Sequence, residues 1–160
     1  MGATGWELIM PDRVVSLDLG CQPAYSGSAE LVLQGIERCV VLFLAIGTKK
    51  NEEGYLPDKG IGVVEFTHFS VARTGYPNDE GRPEHPLWPA GLSDRDTNIC
   101  EVLDSTWLEE LDLPSGGHRH FVFCFKEGTL EVAASDLTVE TSSLPYEQVA
   151  AAALARVLKD

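Results

Sequence analysis

Apolar and polar positions alternate with a period of two across residues 118–125, which is the spacing of a β-strand. Residues 126–128 then form a short polar break that suits a hairpin turn, and the returning strand presents Leu130 and Val132 to one face. A phenylalanine contributes roughly 1.5–3 kcal/mol when it is buried. We therefore expect a hairpin whose first strand buries three rings: Phe121, Phe123 and Phe125.

Six further segments have the composition and patterning of β-strands, bounded by residues that favour turns. They are residues 13–19, 29–34, 38–46, 61–71, 99–103 and 137–141. The stretch from Val40 to Ile46 is apolar on both faces, which predicts a strand at the centre of a sheet. Residues 20–28 are rich in Gly, Pro and Ser and are predicted to be a loop.

Two helices are predicted, a short one near residue 106 and a longer one at the C-terminus. Ser105 is expected to cap the first, with Thr106 and Glu109 at the spacing of a capping box. Ser143 is expected to cap the second, and Pro145 suits its first turn. The second helix has one apolar face that we expect to cover the sheet, formed by Tyr146, Val149, Ala150, Ala153 and Val157.

The order of these elements predicts an α+β fold in a single domain spanning residues 1–160. Helices do not alternate with the strands, which argues against a parallel βαβ architecture. We expect a mainly antiparallel, curved sheet of about six to eight strands, forming a sandwich or partial barrel with the C-terminal helix packed on it.

The charge balance restricts the classes of partner. Twelve Lys and Arg against 25 Asp and Glu give a formal net charge of −13. Such a surface repels phosphate groups, so we expect neither nucleic acid nor an anionic membrane to bind. A basic protein, a cation or a neutral ligand remains compatible with this charge, and a basic protein is the partner we expect.

The cysteines and the N-terminus predict a cytoplasmic protein. The four cysteines include no CxxC pair, and Cys39 and Cys124 lie in apolar runs where free thiols behave as small hydrophobic groups. Residues 1–7 lack the basic and apolar regions of a signal peptide. The longest apolar run, residues 39–46, is too short to cross a bilayer.

Residues 72–98 form a long stretch without periodicity that contains four of the nine prolines. Long loops in compact domains are usually functional, and proline lowers the entropic cost of ordering a recognition surface. The alternative is that the aromatic residues only fasten the loop to the sheet while the acids are solvated. The candidate binding residues in this loop are Tyr76, Asn78, Asp79, Glu80, His85 and Trp88.

His118 and His120 lie two positions apart on a strand and are expected to project to the same side, where they could chelate a metal with His85 or Glu84. The competing interpretation has one histidine solvated and the other hydrogen-bonded. Cys124 is expected to be buried and inert. Motifs for a serine nucleophile elbow, a phosphate loop or a dinucleotide site do not occur, so we assign no catalytic residue and no cofactor.

Several short motifs resemble a group of small bacterial proteins with no assigned activity. The similarity covers roughly residues 64–134 and implies no catalytic role. The motifs are GYPNDE at 75–80, HPL at 85–87, GL at 91–92, EV at 101–102, STW at 105–107 and RHFVF at 119–123. In size, acidity and lack of catalytic motifs the chain is also similar in type to immunity proteins of bacterial toxin systems.

Two functions from different classes follow as expectations. The first is a non-enzymatic protein that binds a basic partner, for example an immunity-type inhibitor, through its acidic surface and the loop at 75–88. The second is a small metal-dependent hydrolase that uses His118 and His120 with His85 or Glu84. A homodimer joined through the same loop is a third alternative.

Overall fold

The computed structural model describes residues 11–113 and 117–159. Their strands are β1 Arg13–Ser16, β2 Cys21–Pro23, β3 Leu31–Gln34, β4 Cys39–Gly47, β5 Asp58–Thr67, β6 Val71–Gly75, β7 Ile99–Leu103, β8 Arg119–Cys124, β9 Thr129–Ala134 and β10 Asp136–Ser142. Their α-helices are α1 Thr106–Glu110 and α2 Tyr146–Val157. The predicted α+β class is confirmed.

The strands form two antiparallel sheets that do not close into a barrel. Sheet A has the strand order β1-β7-β8-β9-β6. Sheet B has the order β10-β5-β4-β2, and β3 pairs with β4 beside β2. The predicted central position of the 40–46 strand is confirmed, because β4 pairs with β5 on one side and with β2 and β3 on the other.

The main hydrophobic core lies between the two sheets. Phe121, Phe123 and Phe125 are all at most 3% exposed and pack with Phe43 and Phe66 of sheet B. The ring of Phe66 meets the ring of Phe123 edge-on, with 5.7 Å between centroids. The face predicted from the alternation is therefore confirmed, together with Leu130 and Val132 on the returning strand.

Each sheet has a second face, and the two are covered differently. Helix α2 packs on the outer face of sheet B through the five residues predicted from its periodicity. The chain between β6 and β7, residues 76–98, packs on the outer face of sheet A. Leu87 and Leu92 of this 76–98 segment are buried there against Val14, Cys100 and Val122.

The described residues form ten strands where six to eight were expected, because the short strands β2 and β6 were not predicted. Strand β2 lies in the predicted loop at 20–28 and is held by pairing with the end of β4. The predicted strand at 61–71 ends early, at Thr67, and His68 after it adopts φ 48°. Strand β6 shares only Val71 with that prediction and lies otherwise in the stretch at 72–98 that was predicted to lack periodicity. The predicted cap of α2 was also wrong: Pro145 precedes the first turn, and no side chain caps it.

All four cysteines are free and buried. Burial raises the pKa of Cys39 and of Cys100 to about 12, and it also raises the pKa of Cys124. Neither of the two described helices has the length and apolar character needed to cross a bilayer. Residues 1–7, on which the expectation about a signal peptide depends, lie outside the described residues.

Candidate functional site

A buried arginine fastens the 76–98 segment to the end of the β8–β9 hairpin. Arg82 lies in a short 3-10 helix, Arg82–Glu84, and is only 3% exposed. Its guanidinium donates hydrogen bonds to the carbonyl oxygens of Phe125 and of Gly128. Burial lowers the pKa of Arg82. The Arg82 Nε has no hydrogen-bond partner among the described residues.

Side chains within the segment satisfy its irregular backbone. The Asn78 side-chain oxygen accepts a hydrogen bond from the Gly81 amide at 3.0 Å. The Nδ1 atom of His85 accepts one from the Leu87 amide, also at 3.0 Å. The amide of Asp79 donates to the Lys126 carbonyl at 2.9 Å. The backbone of this segment is therefore held by specific hydrogen bonds as well as by its apolar contacts.

Beneath the segment, a buried carboxylate collects donors from three parts of the chain. Glu131 of β9 is 6% exposed. Arg73, directly opposite on β6, donates to both of its oxygens at 2.9 and 3.1 Å. The Nε2 atom of His120 is 2.8 Å from Oε1, and the Nε2 atom of His85 is 3.6 Å from Oε2. Arg73, His85, His120 and Glu131, with Ser105, are called the Glu131 cluster below.

The electrostatics of Glu131 are decided by these donors. Burial alone would raise its pKa, because it disfavours the charged form. The contacts from His120, His85 and Arg73 outweigh burial and hold the pKa of Glu131 well below its ordinary value of 4.5. The carboxylate is therefore ionised near neutral pH.

Hydrogen bonding also orients the imidazole of His120. The Ser105 hydroxyl accepts the amide of Leu108 at 3.1 Å as the cap of α1, which confirms the predicted cap. The same hydroxyl hydrogen-bonds to His120, whose Nδ1 atom lies 2.7 Å away. The other ring nitrogen, Nε2, faces the carboxylate of Glu131.

The order serine, histidine, glutamate resembles a catalytic triad, but its geometry is that of a structural support. Ser105 is 5% exposed and its oxygen already caps a helix. A nucleophile needs its oxygen directed at substrate, with the base able to take its proton. Here the Ser105 hydroxyl hydrogen-bonds to His120, and His120 in turn hydrogen-bonds to Glu131.

An aromatic side chain covers the remaining side of the cluster. The indole of Trp107 meets the ring of His120 at 4.8 Å between centroids. The guanidinium of Arg73 lies over the same indole at 4.2 Å, a cation–π contact. Arg73 is thus held by Trp107 and by Glu131 together.

An open cavity of about 300 Å³ adjoins this cluster at the surface. Arg73, His85 and Glu131 form part of its lining, and Tyr76 and Glu84 stand at the same opening. We call it the outer cavity. Tyr76 is 70% exposed, and its hydroxyl donates to Glu84 at 2.6 Å, which raises the pKa of Tyr76. Its ring lies where a side chain on Gly81 would stand.

The six candidate binding residues divide into two groups in the structure. Tyr76, Asp79 and Glu80 are exposed on the 76–98 segment. Asn78 closes a turn, His85 is buried against Glu131, and Trp88 packs against the apolar residues below. Three of the six residues therefore fasten the loop, and the other three face solvent.

The two histidines of the metal interpretation do not converge. His118 Nε2 is 2.7 Å from the hydroxyl of Ser70, whereas both ring nitrogens of His120 are engaged by Ser105 and Glu131. Over residues 11–113 and 117–159 no group of three or more His, Cys, Asp or Glu side chains is placed to hold a metal ion.

The centre of the cluster, Glu131, has no distinctive signal in the sequence. Glu131 alternates with Leu130 and Val132, which is the pattern of a solvated position on a half-buried strand. Arg73 and Arg82 carried no periodic signal. The signal that was present is the capping-box spacing of Thr106 and Glu109, which predicted the position of α1. The structure instead places both residues inside the helix, with Ser105 as the cap, and nothing in the sequence indicated that Ser105 also contacts His120.

Comparisons of the chain with protein-family models, curated proteins and solved structures find no match.

Proposed function

We propose that this protein is a non-enzymatic binding protein that holds a basic partner protein on the exposed side of the 76–98 segment. The observation that carries the proposal is a tyrosine 70% exposed beside three exposed carboxylates, on a segment whose underside is fixed to sheet A. The carboxylates are Asp79, Glu80 and Glu84.

The exposed residues are held before any partner arrives. Tyr76 is positioned by its hydrogen bond to Glu84 and by its contact with Gly81. Arg82 and His85 fasten the chain that follows. A preformed surface loses less conformational entropy on binding, and tyrosine is a frequent anchor of protein interfaces. This rigidity supports recognition by the segment as it stands.

Charge supports a basic partner. The chain carries a net charge of −13, and Asp79, Glu80 and Glu84 are exposed on the same segment as Tyr76. Arg73, the exposed cation at the outer cavity, is paired with Glu131. Complementary charge accelerates association and makes it sensitive to salt. An immunity-type inhibitor of a basic bacterial toxin, acting in the cytoplasm, is the specific form we propose, on the small size and acidity of the chain. The alternative hydrolase has no arrangement of side chains in its favour among the described residues.

The experiment is affinity capture from the lysate of the source organism, at low and at high salt, with matched charge reversals. The test variant is Asp79→Lys with Glu80→Lys on the 76–98 segment. The control variant is Glu37→Lys with Glu147→Lys, which changes the net charge equally at exposed positions on the α2 side. We expect a partner that is retained only at low salt, is lost with the test variant and is kept by the control.

Tyr76→Ala should weaken capture of the same partner by at least about tenfold, as removal of an interface anchor does. A partner that is lost equally with the control pair would show that only net charge matters. A partner indifferent to Tyr76→Ala and to the charge reversal would contradict the proposal. Self-association seen by sedimentation at several concentrations, and removed by Tyr76→Ala, would instead identify the segment as a dimer contact.

A further inference from the structure

Strand β6 leaves one edge of sheet A open. Within the described residues it pairs only with β9, and the other edge of Val71–Gly75 has no strand neighbour. Unpaired backbone donors and acceptors along such an edge are a template for an added strand. Arg73, the charged side chain that could protect the edge, is drawn onto Glu131 and Trp107.

A cavity opens on each face of the sheet at the end of this strand. The outer cavity, about 300 Å³, lies on the face of Glu131 and includes Tyr76 and Glu84 in its lining. A second open cavity of about 310 Å³ lies on the core side, where Leu130 points. We call the second one the inner cavity. Thr74 and Gly75 line both, so the two cavities flank the same stretch of free edge.

This arrangement matches the geometry of an extended peptide. Successive side chains of a strand point to opposite faces of the sheet. A strand added to β6 therefore presents one side chain to the inner cavity and the next to the outer cavity. Two cavities at one edge provide the alternate side-chain sites that strand addition uses for specificity.

The inner cavity has the chemistry of a site for a long basic side chain. Its apolar lining includes Val32, Phe125 and Leu130, against which an aliphatic stem can pack. Glu30 and Glu127 supply carboxylates at the same cavity. A lysine or arginine side chain fits both properties.

The edge strand of sheet B offers a weaker case. Cavities also adjoin β10, but its Glu140 is already paired with Arg156 at 2.8 Å, and Lys59 lines one of them. The edge of β6 is in addition continuous with Tyr76 and Glu84 of the proposed interface. Charge complementarity and continuity both favour β6.

We propose that the partner docks an extended segment along the free edge of β6, with a lysine or arginine entering the inner cavity and the next side chain entering the outer cavity. This proposal rests on the proposed function, because it takes the ligand to be a protein.

The test uses a synthetic seven-residue peptide of alternating threonine and valine with one central lysine, blocked at both ends. It is titrated into ¹⁵N-labelled protein. We expect saturable amide shifts at Arg73, Thr74, Gly75 and Glu127, and affinity at least about tenfold weaker when the peptide carries glutamate in place of lysine. No saturable shift at millimolar peptide, or shifts centred on β10, would overturn the proposal.

Two variants test the site without disturbing the core. Thr74 faces the inner side opposite Leu130, so Thr74→Lys places an ammonium group of the protein's own in the inner cavity and should abolish peptide binding. Glu30→Gln with Glu127→Gln should remove the preference for lysine over glutamate, while Glu37→Gln with Glu147→Gln should keep it. Urea unfolding of each variant confirms that the fold is retained. Binding unchanged in Thr74→Lys would contradict strand addition at β6.

The captured partner separates this proposal from the broader one. If Tyr76→Ala releases the partner and Thr74→Lys does not, the binding function stands and the β6 proposal fails. If both substitutions release the partner, both proposals are supported. If neither substitution releases it, both proposals fail.

Discussion

The two outer faces of this sandwich are both covered by other parts of the chain, but by segments of different kinds. On sheet B, α2 lays an apolar stripe on Val40, Leu42 and their neighbours, with Val149 and Ala153 buried. On sheet A, the 76–98 segment buries Leu87 and Leu92 but also lies over an ionised glutamate, Glu131, to which its own His85 and His120 of β8 are directed. One cover is apolar and regular, and the other is partly polar and irregular.

The difference follows from backbone hydrogen bonding. A helix satisfies its backbone internally, so it needs only apolar side chains to cover a sheet. An irregular segment that is buried must find partners for its peptide groups elsewhere. Here Asn78 and His85 accept from backbone amides, and Arg82 donates to carbonyl oxygens of the hairpin. The polar groups on sheet A are therefore the means by which an irregular cover is held in place.

The comparison predicts that the largest loss of stability comes from the carboxylate under the 76–98 segment. Glu131→Ala leaves buried donors of His120 and His85 without an acceptor and should lower the free energy of unfolding by about 3–5 kcal/mol. Val149→Ala, its counterpart under α2, removes two carbon atoms from an apolar contact and should cost about 1–2 kcal/mol. Urea unfolding at neutral pH measures both. A smaller loss for Glu131→Ala than for Val149→Ala would mean that the cluster does not hold the segment.

The second-largest difference expected between the two outer faces is in how the free energy of unfolding depends on pH. The pKa of Glu131 is lowered in the folded protein, so the stability it contributes is complete above its ordinary pKa of 4.5. That contribution is lost as the pH falls below 4.5 and approaches the folded pKa, because the folded state must then take up a proton against its donors. The difference in unfolding free energy between the native protein and Glu131→Gln should shrink in this range.

Val149→Ala is the control for this measurement, since it removes no titrating group. Its difference from the native protein should stay constant between neutral pH and about pH 3, wherever folded protein remains. A difference for Glu131→Gln that is equally constant would show that the carboxylate gains nothing from its donors.

The same contrast explains what could be predicted from the sequence. The face of Phe121, Phe123 and Phe125 and the stripe of α2 follow from local periodicity, because a regular element repeats its burial along the chain. Glu131 has the periodicity of a solvated position, and its burial depends on a segment that begins about fifty residues earlier in the chain. Strand β2 was missed for a similar reason. Its three residues lie in a stretch rich in turn residues, and they form a strand by pairing with the end of β4.

Within the candidate site, the sequence indicated the exposed residues better than the buried ones. Tyr76, Asp79 and Glu80 stand at the surface as an aromatic and acidic loop suggests. His85 was predicted as a binding residue or metal ligand. In the structure its Nδ1 accepts a hydrogen bond from the Leu87 amide and its Nε2 faces Glu131, so both nitrogens hold the loop. Pairings such as Arg73 with Glu131 require strand register, which alternation alone does not specify.

The smallest difference in unfolding free energy is expected between substitutions at the N-terminal ends of the two helices. Ser105 is buried, caps α1 and hydrogen-bonds to His120, so Ser105→Ala should cost about 1–2 kcal/mol by removing a cap and leaving His120 Nδ1 unpaired. Ser143 makes no cap at α2 and is exposed, so Ser143→Ala should change the unfolding free energy by less than about 0.5 kcal/mol. Urea unfolding of both variants measures this difference. Because Ser105 reaches Glu131 only through His120, the cost of Ser105→Ala should fall when His120 is already replaced by Ala. Independent, additive effects of the two substitutions would show that the serine acts as a helix cap alone.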